Sequence, residues 1–352
     1  MADLLTKLLT ERSWILADGA IGSNLFEAGL LSGDSPELWN VIHPERVARL
    51  ARSFVDAGAD IILTNTFGGT RYRLKLHHAD DRVRELNVAA AKIARAEVAA
   101  SGRQVVVAGS MGPTGEILEP LGPLSADAAR IAFAEQAAAL AEGGADVLWI
   151  ETMSSKEELE AAILGAQSTG LPVVSTMSFD TNGRTMMALT PHELAGIHRA
   201  HGLLACGSNC GVGPSELIAS IINLSTASEA GAILVAKANC GIPQYVDGKI
   251  RYDGTPELMR IYACMAYDAG ARIIGGCCGT TPEHLKAMRV ALEAHTRGPS
   301  PDVVRLEEQL GTISSGARAQ LKGLMDRHSG AAPNAVRRSP SLRRRNRGDA
   351  PE

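Results

Sequence analysis

Very little net charge separates this chain from neutrality: 35 Lys and Arg stand against 39 Asp and Glu, a formal charge of −4 over 352 residues. A chain so balanced is not, as a whole, a nucleic-acid binder. Cysteine is scarce too. Six Cys are too few for a disulfide-built fold of this length and point to a reducing compartment. No apolar run approaches the ~20 residues of a membrane-spanning helix, so no membrane partner is expected. The opening MADLLTKLLTERSW carries acidic residues and no long apolar stretch, and does not read as a secretory signal. A cytoplasmic protein is the expectation.

What the chain does have is apolar content, 45% of its residues and spread along its length. That is enough for a sizeable core and excludes disorder for most of the chain. At ~150 residues per domain the length suggests two domains, but α/β barrels commonly run ~250 residues as one. Apolar β-rich runs fall at 14–18, 60–67, 105–111, 146–153, 172–179, 203–210, 233–240 and 272–278, eight in all. Each is followed by apolar residues at helical spacing, such as Val47, Leu50, Ala51, Phe54 and Val55. Helix-start residues precede several of these segments (Pro44 after His43, Ser125, Thr190-Pro191, Thr281-Pro282). Gly58, Gly144 and Gly270 close helices just before the next strand.

Near-continuous apolar strands are buried on both faces, which means a parallel sheet. Eight strand–helix units predict an α/β fold, a (β/α)8 TIM barrel over 1–298 with a short C-terminal extension. The alternative is an open doubly wound sheet. It suffers from the count of eight and from Gly19 and Gly22 lacking the third glycine of a dinucleotide loop. Residues 299–330 read as a helical extension. Residues 331–352 hold six Arg against one Asp and one Glu and read as a basic, disordered, solvated tail, with an RNA- or lipid-binding arm as the alternative.

In such a barrel the chemistry sits at the C-terminal ends of the strands. Those ends carry Asp18-Gly19, Thr64-Asn65-Thr66-Phe67, Glu151-Thr152, Asn209-Cys210, Asn239-Cys240 and Cys277-Cys278. Adjacent Cys on a regular strand face opposite ways, but glycines on both sides let the backbone leave the pleat. Cys277 and Cys278 can then reach one ion, with Cys210 as a third thiolate at the same rim. Three protein ligands with an open fourth position is the pattern of a catalytic zinc site, and thiolates select zinc over hard cations. The alternative is a set of small buried thiols. Cys206 lies ~13 Å back along the strand from Cys210 and is too far to share the ion. Cys264 reads as core, and Cys240, which also ends a strand at this face, stays open between a buried thiol and a ligand or reserve ligand.

The segments DGAIGSNL, GADIILTNTFGGT, GSMGPTGEIL, ADVLWIETM, GSNCGVGP and GGCCGTTPEHL, in that order, resemble the homocysteine S-methyltransferase family over about residues 12–297. Among its members the chain is most similar to bacterial betaine-dependent enzymes. It is also similar to the homocysteine module of cobalamin-dependent methionine synthases, and its LWN segment to S-methylmethionine-dependent enzymes. The resemblance implies Zn2+ on Cys210, Cys277 and Cys278 and L-homocysteine as methyl acceptor. The family's segment more often has Ala where this chain has Cys240, which leaves the role of that thiol open.

Chemistry agrees with this reading. A free thiol of pKa ~8.5 is mostly the poor nucleophile at neutral pH, and zinc binding deprotonates it. The acceptor's ammonium calls for Asp18 or Glu151. Its carboxylate calls for backbone N–H groups near Gly19 and Asn209, and the resemblance places acceptor binding at the first and fourth strand ends. A quaternary ammonium donor needs aromatic faces, and the chain has only three Trp, five Tyr and five Phe. Trp39 and Tyr72, in the loops after the first two strands, are the candidates; a loop anchor is the alternative for Trp39. Arg184 is a candidate for a donor carboxylate. The expected donor is glycine betaine, giving methionine and dimethylglycine. Dimethylsulfoniopropionate, S-methylmethionine and a separate corrinoid protein are the alternatives. Homo-oligomerisation is left open.

Overall fold

A computed structural model of the chain describes residues 3–246 and 249–324. Its strands are β1 (Ile15–Leu16), β2 (Ile61–Leu63), β3 (Val106–Met111), β4 (Val147–Met153), β5 (Val173–Met177), β6 (Ala205–Cys210), β7 (Leu234–Ala238), β8 (Pro243–Val246), β9 (Lys249–Tyr252) and β10 (Ala271–Gly276). Eight are parallel neighbours in the order β1-β10-β7-β6-β5-β4-β3-β2. The ends of that sheet meet. A parallel bridge joins Ala17 to Ile61, Asp60 N–H donates to the Leu16 carbonyl at 2.7 Å, and Asp18 N–H donates to the Ile61 carbonyl at 3.0 Å. The ring is the expected (β/α)8 barrel.

Alternation along the strands divides the core in two. Ile15, Ile61, Val106, Val147, Trp149, Val174, Ala205, Val235 and Ile273 fill the barrel interior. Residues of opposite parity, such as Leu16, Ile62, Val107, Leu148 and Ile274, pack under the helices. Helix ends follow the local signals. Thr190 and Glu193 form a reciprocal capping box ahead of the helix Pro191–His201, and Ser125 caps Ala126–Glu142. Gly58, Gly144 and Gly270 take φ of +105°, +97° and +114°, which permits the tight helix-to-strand turn.

Two elements were not foreseen. The first residues form a helix, Leu4–Glu11, whose Leu5, Leu8 and Leu9 join the interior cluster and plug its floor. The antiparallel hairpin β8/β9 is inserted between β7 and its helix Pro256–Asp268. After the last barrel helix, Pro282–Ala294, the helices Val303–Leu310 and Ser315–Leu321 bury Leu306, Leu310 and Ala317. The remainder of the proposed extension and the basic segment 331–352 lie outside the described residues. Among the described residues, no helix is long and apolar enough to cross a membrane.

Candidate active site

The ends of β6 and β10 bring three thiols together. Cys210 Sγ lies 3.1 Å from Cys277 Sγ and 3.7 Å from Cys278 Sγ, and all three sulfurs lie within 4.8 Å of one another. The backbone works for this arrangement. Cys210 has φ +59°, a left-handed conformation that few non-glycine residues adopt. Gly276 and Gly279 flank the pair. A Cβ on Gly276 would meet the Thr280 side chain at 2.3 Å, and one on Gly279 would meet the Tyr252 ring at 2.4 Å. Asn239 ties the two loops: its Nδ2 donates to the Gly211 carbonyl at 2.6 Å and its Oδ1 accepts from Cys278 N–H at 3.0 Å. Hydrogen bonds from Cys210 and Cys277 pull the Cys278 thiol well below its ordinary pKa, outweighing burial, and Tyr252 adds to the effect.

Buried polar groups sit beside the thiols. Lys237 Nζ donates to Asp18 Oδ1 at 2.6 Å, and the Leu63 N–H donates to Asp18 Oδ2 at 2.7 Å. Both oxygens of Asp18 are thus engaged within the protein. Glu151 accepts a very short hydrogen bond from Ser110 Oγ. Burial pushes the Glu151 carboxyl up to about 7, with Lys237 working in the opposite direction. Burial likewise lifts Asp18, against the pull of Lys237. Asn209 Oδ1 accepts from Thr152 N–H at 2.9 Å, while its Nδ2 donates to Thr152 Oγ1 at 2.7 Å and lies 3.8 Å from Cys277 Sγ. Thr152 is held at φ +63°, a strained value for a β-branched residue. Gly19 is packed where a Cβ would fall 2.6 Å from the Thr280 carbonyl oxygen, and that oxygen accepts from Ala20 N–H at 3.0 Å.

A family model described as homocysteine S-methyltransferase matches residues 15–292. The chain belongs to this family. The methionine synthase of Mycobacterium tuberculosis is 31% identical over an alignment of 321 positions that covers 85% of this chain and 26% of that protein. The methionine synthase of Mycobacterium leprae is 29% identical over an alignment of 303 positions that covers 82% of this chain and 25% of that protein. The chain therefore spans about a quarter of the length of the curated relatives it matches. Among solved structures, the homocysteine methyltransferase MmuM of Escherichia coli in its oxidised form gives a TM-score of 0.70 at 23% identity, over 82% of this chain and 99% of that one. Its metallated form gives 0.69. At that identity the likeness shows the fold alone.

Other candidate residues of this family member take structural places. Trp39 is 6% exposed and packs with Leu25, Leu30 and Val47. The Arg46 guanidinium lies 4.9 Å over its ring and His43 meets it edge-on at 5.0 Å. A face so covered is not open to a substrate cation, and the structure gives Trp39 the loop-anchor role. Tyr72 is half-buried against the main core. Phe67 is 38% exposed at the strand-two end. Cys240 is buried outside the three-thiol cluster, and burial pushes its thiol up to about 12. Cys206 is buried in the main core. Arg184 Nη1 donates to the Ala188 carbonyl at 3.3 Å within its own loop.

Lys237 and Tyr252 were missed. Lys237 sits in an apolar run, and the only clue was that a lone Lys in the middle of a buried strand demands an anion. Tyr252 arrives on the unforeseen hairpin and hydrogen-bonds Cys278.

Proposed function

We propose that this chain transfers a methyl group from a small onium donor, glycine betaine in the first instance, to the sulfur of L-homocysteine, giving methionine and dimethylglycine. The observation that carries the reading is the convergence of Cys210, Cys277 and Cys278 at the barrel mouth beside a buried carboxylate site.

The thiols fit a zinc ion. Sulfurs bound to one tetrahedral zinc at ~2.3 Å stand about 3.8 Å apart. Cys210 and Cys278 already have that separation, and the Cys210–Cys277 pair, at 3.1 Å, must open slightly. Three soft ligands leave one position for an incoming thiol. When bound, zinc supplies a lowered pKa for that thiol, so that a thiolate forms at neutral pH. The chain's own groups do the rest. Glu151, oriented by Ser110, receives the acceptor's ammonium. The backbone at Gly19 faces its carboxylate. Asn209 and Asn239 keep the cysteine loops in register. Phe67 offers an aromatic face to the onium group. The sulfur forms its bond to the methyl carbon as the carbon–nitrogen bond breaks, and the electron pair stays on the donor nitrogen. Cation and anion become two neutral groups, so holding both in line is the main demand on the site.

The test is turnover by zinc-loaded protein with homocysteine and, separately, glycine betaine, dimethylsulfoniopropionate or S-methylmethionine. Methionine and dimethylglycine in equal amounts are expected with betaine. Turnover with another onium compound alone would reassign the donor. Transfer only from a methylated corrinoid protein would overturn the onium reading; the methionine synthase relatives make that arm necessary.

A further inference from the structure

We propose that the arginine-rich segment 336–345 docks in an acid-rimmed apolar groove on the outer rim of its own barrel.

The groove lies where the loops after β3, β4 and β5 meet the helices Lys156–Gln167 and Pro191–His201, and it encloses about 700 Å3. Much of its apolar lining is open to solvent: Ile117, Leu121, Met186 and Met187 are 60%, 75%, 73% and 43% exposed. Exposed apolar side chains gathered in one groove mark an interaction surface. Six Glu line it as well, and Lys156 is the one cation among its described lining residues. Three of these Glu are engaged. Glu158 accepts from Thr114, Glu193 belongs to the Thr190 capping box, and Glu160 lies 3.8 Å from both Lys156 and His201. The other three, Glu116, Glu119 and Glu157, are exposed, and no cation among the described residues pairs with them. The groove therefore suits an occupant that is apolar in part and carries several cations.

The place where the described chain ends points to that occupant. The helix Ser315–Leu321 seats on the loop after β5: Gly316 N–H donates to Asn182 Oδ1 at 2.6 Å, and Gln320 Nε2 donates to the Gly183 carbonyl at 2.9 Å. Met186 is three residues beyond Gly183 on the same loop, so at most ~11 Å of backbone separates this seat from the groove. Thirteen residues lead from Leu324 to Arg337, and they can span up to ~45 Å. Residues 336–345 read VRRSPSLRRR, five Arg with Val336 and Leu342 among them. Guanidinium groups pair with carboxylates through two parallel hydrogen bonds, and Val336 and Leu342 supply the apolar contacts. A tether of this length holds the segment at an effective concentration on the order of millimolar, so weak contacts suffice. RNA or an anionic membrane would take the arginines but leave the acidic, apolar groove uncovered.

The test is limited trypsin digestion of the full chain, with the cut between Arg338 and Ser339 followed by mass spectrometry. In the triple variant Glu116→Gln, Glu119→Gln, Glu157→Gln this cut should be about tenfold faster than in the native chain, because a docked segment is cleaved only when it lets go. The triple variant Arg343→Gln, Arg344→Gln, Arg345→Gln, which leaves the barrel untouched, should speed the same cut to a similar extent. Salt at about 0.5 M should erase the difference between the native chain and the Glu variant. A native rate in either variant overturns the proposal. Protection that rises with protein concentration places the segment on a second copy and overturns it as well. So does protection that appears only on adding RNA or anionic phospholipid vesicles.

Discussion

Replacing Asn239 with Ala removes two hydrogen bonds that act on opposite sides of the thiol cluster. Nδ2 holds the Gly211 carbonyl, next to Cys210, and Oδ1 holds the N–H of Cys278. Asn239 is buried, so water does not fully replace either bond. Each is worth about 1 kcal/mol net, and the loss of both comes to about 2 kcal/mol. If the loops are held together for a metal, this energy appears as metal affinity, about 30-fold weaker zinc binding. Removal of groups that orient metal ligands typically costs 10–100-fold. The assay is competition for zinc with a chromophoric chelator, alongside a thermal melt of the chelated protein. The melt should change little, because the barrel core is built from other residues. A variant with native zinc affinity and a native melt would refute the claim that Asn239 braces the site. A large loss of melting temperature without zinc would show that it braces the fold instead.

Cys278→Ala should lose the stoichiometric zinc, measured by elemental analysis, while keeping its circular dichroism spectrum; full zinc content would dismiss the three-thiolate site. Glu151→Gln should raise stability at pH 7.5 and not at pH 4. The native carboxyl holds its proton up to about 7, while the unfolded chain loses it near 4.5, so stability falls as pH rises through that window. The full effect is on the order of 3 kcal/mol, read from melting temperatures at the two pH values. Trp39→Ala should destabilise the fold by about 3 kcal/mol or more in denaturant titration, through the cavity left among Leu25, Leu30 and Val47. It should raise KM for donor and acceptor alike, and a loss confined to the donor would return Trp39 to the donor site.

The cysteine site was readable because its signals are local and the barrel does the rest. Each thiol stands at the end of an apolar run, and a (β/α)8 ring sends all such ends to one face. That places Cys210 beside residues 67 and 68 positions later without any knowledge of their contacts. The donor site was less readable. An aromatic residue in a loop is placed by whatever packs against it, and for Trp39 that was the helix Pro44–Asp56, through Val47 and the guanidinium of Arg46.

The sequence by itself determined the eightfold strand–helix order, the helix caps and the end of the barrel at which the three thiols meet. These depend on apolar runs, Thr and Ser caps, and glycines acting over a few residues. Only the tertiary structure decided that the first helix plugs the barrel floor, that a hairpin carries Tyr252 to Cys278, and that Asp18 is engaged by Lys237. Asp18 and Lys237 are 219 positions apart, and neither has a neighbour in sequence that announces the pair. Closing the ring puts them 2.6 Å apart and buries both side chains, where their attraction is screened far less than at the surface.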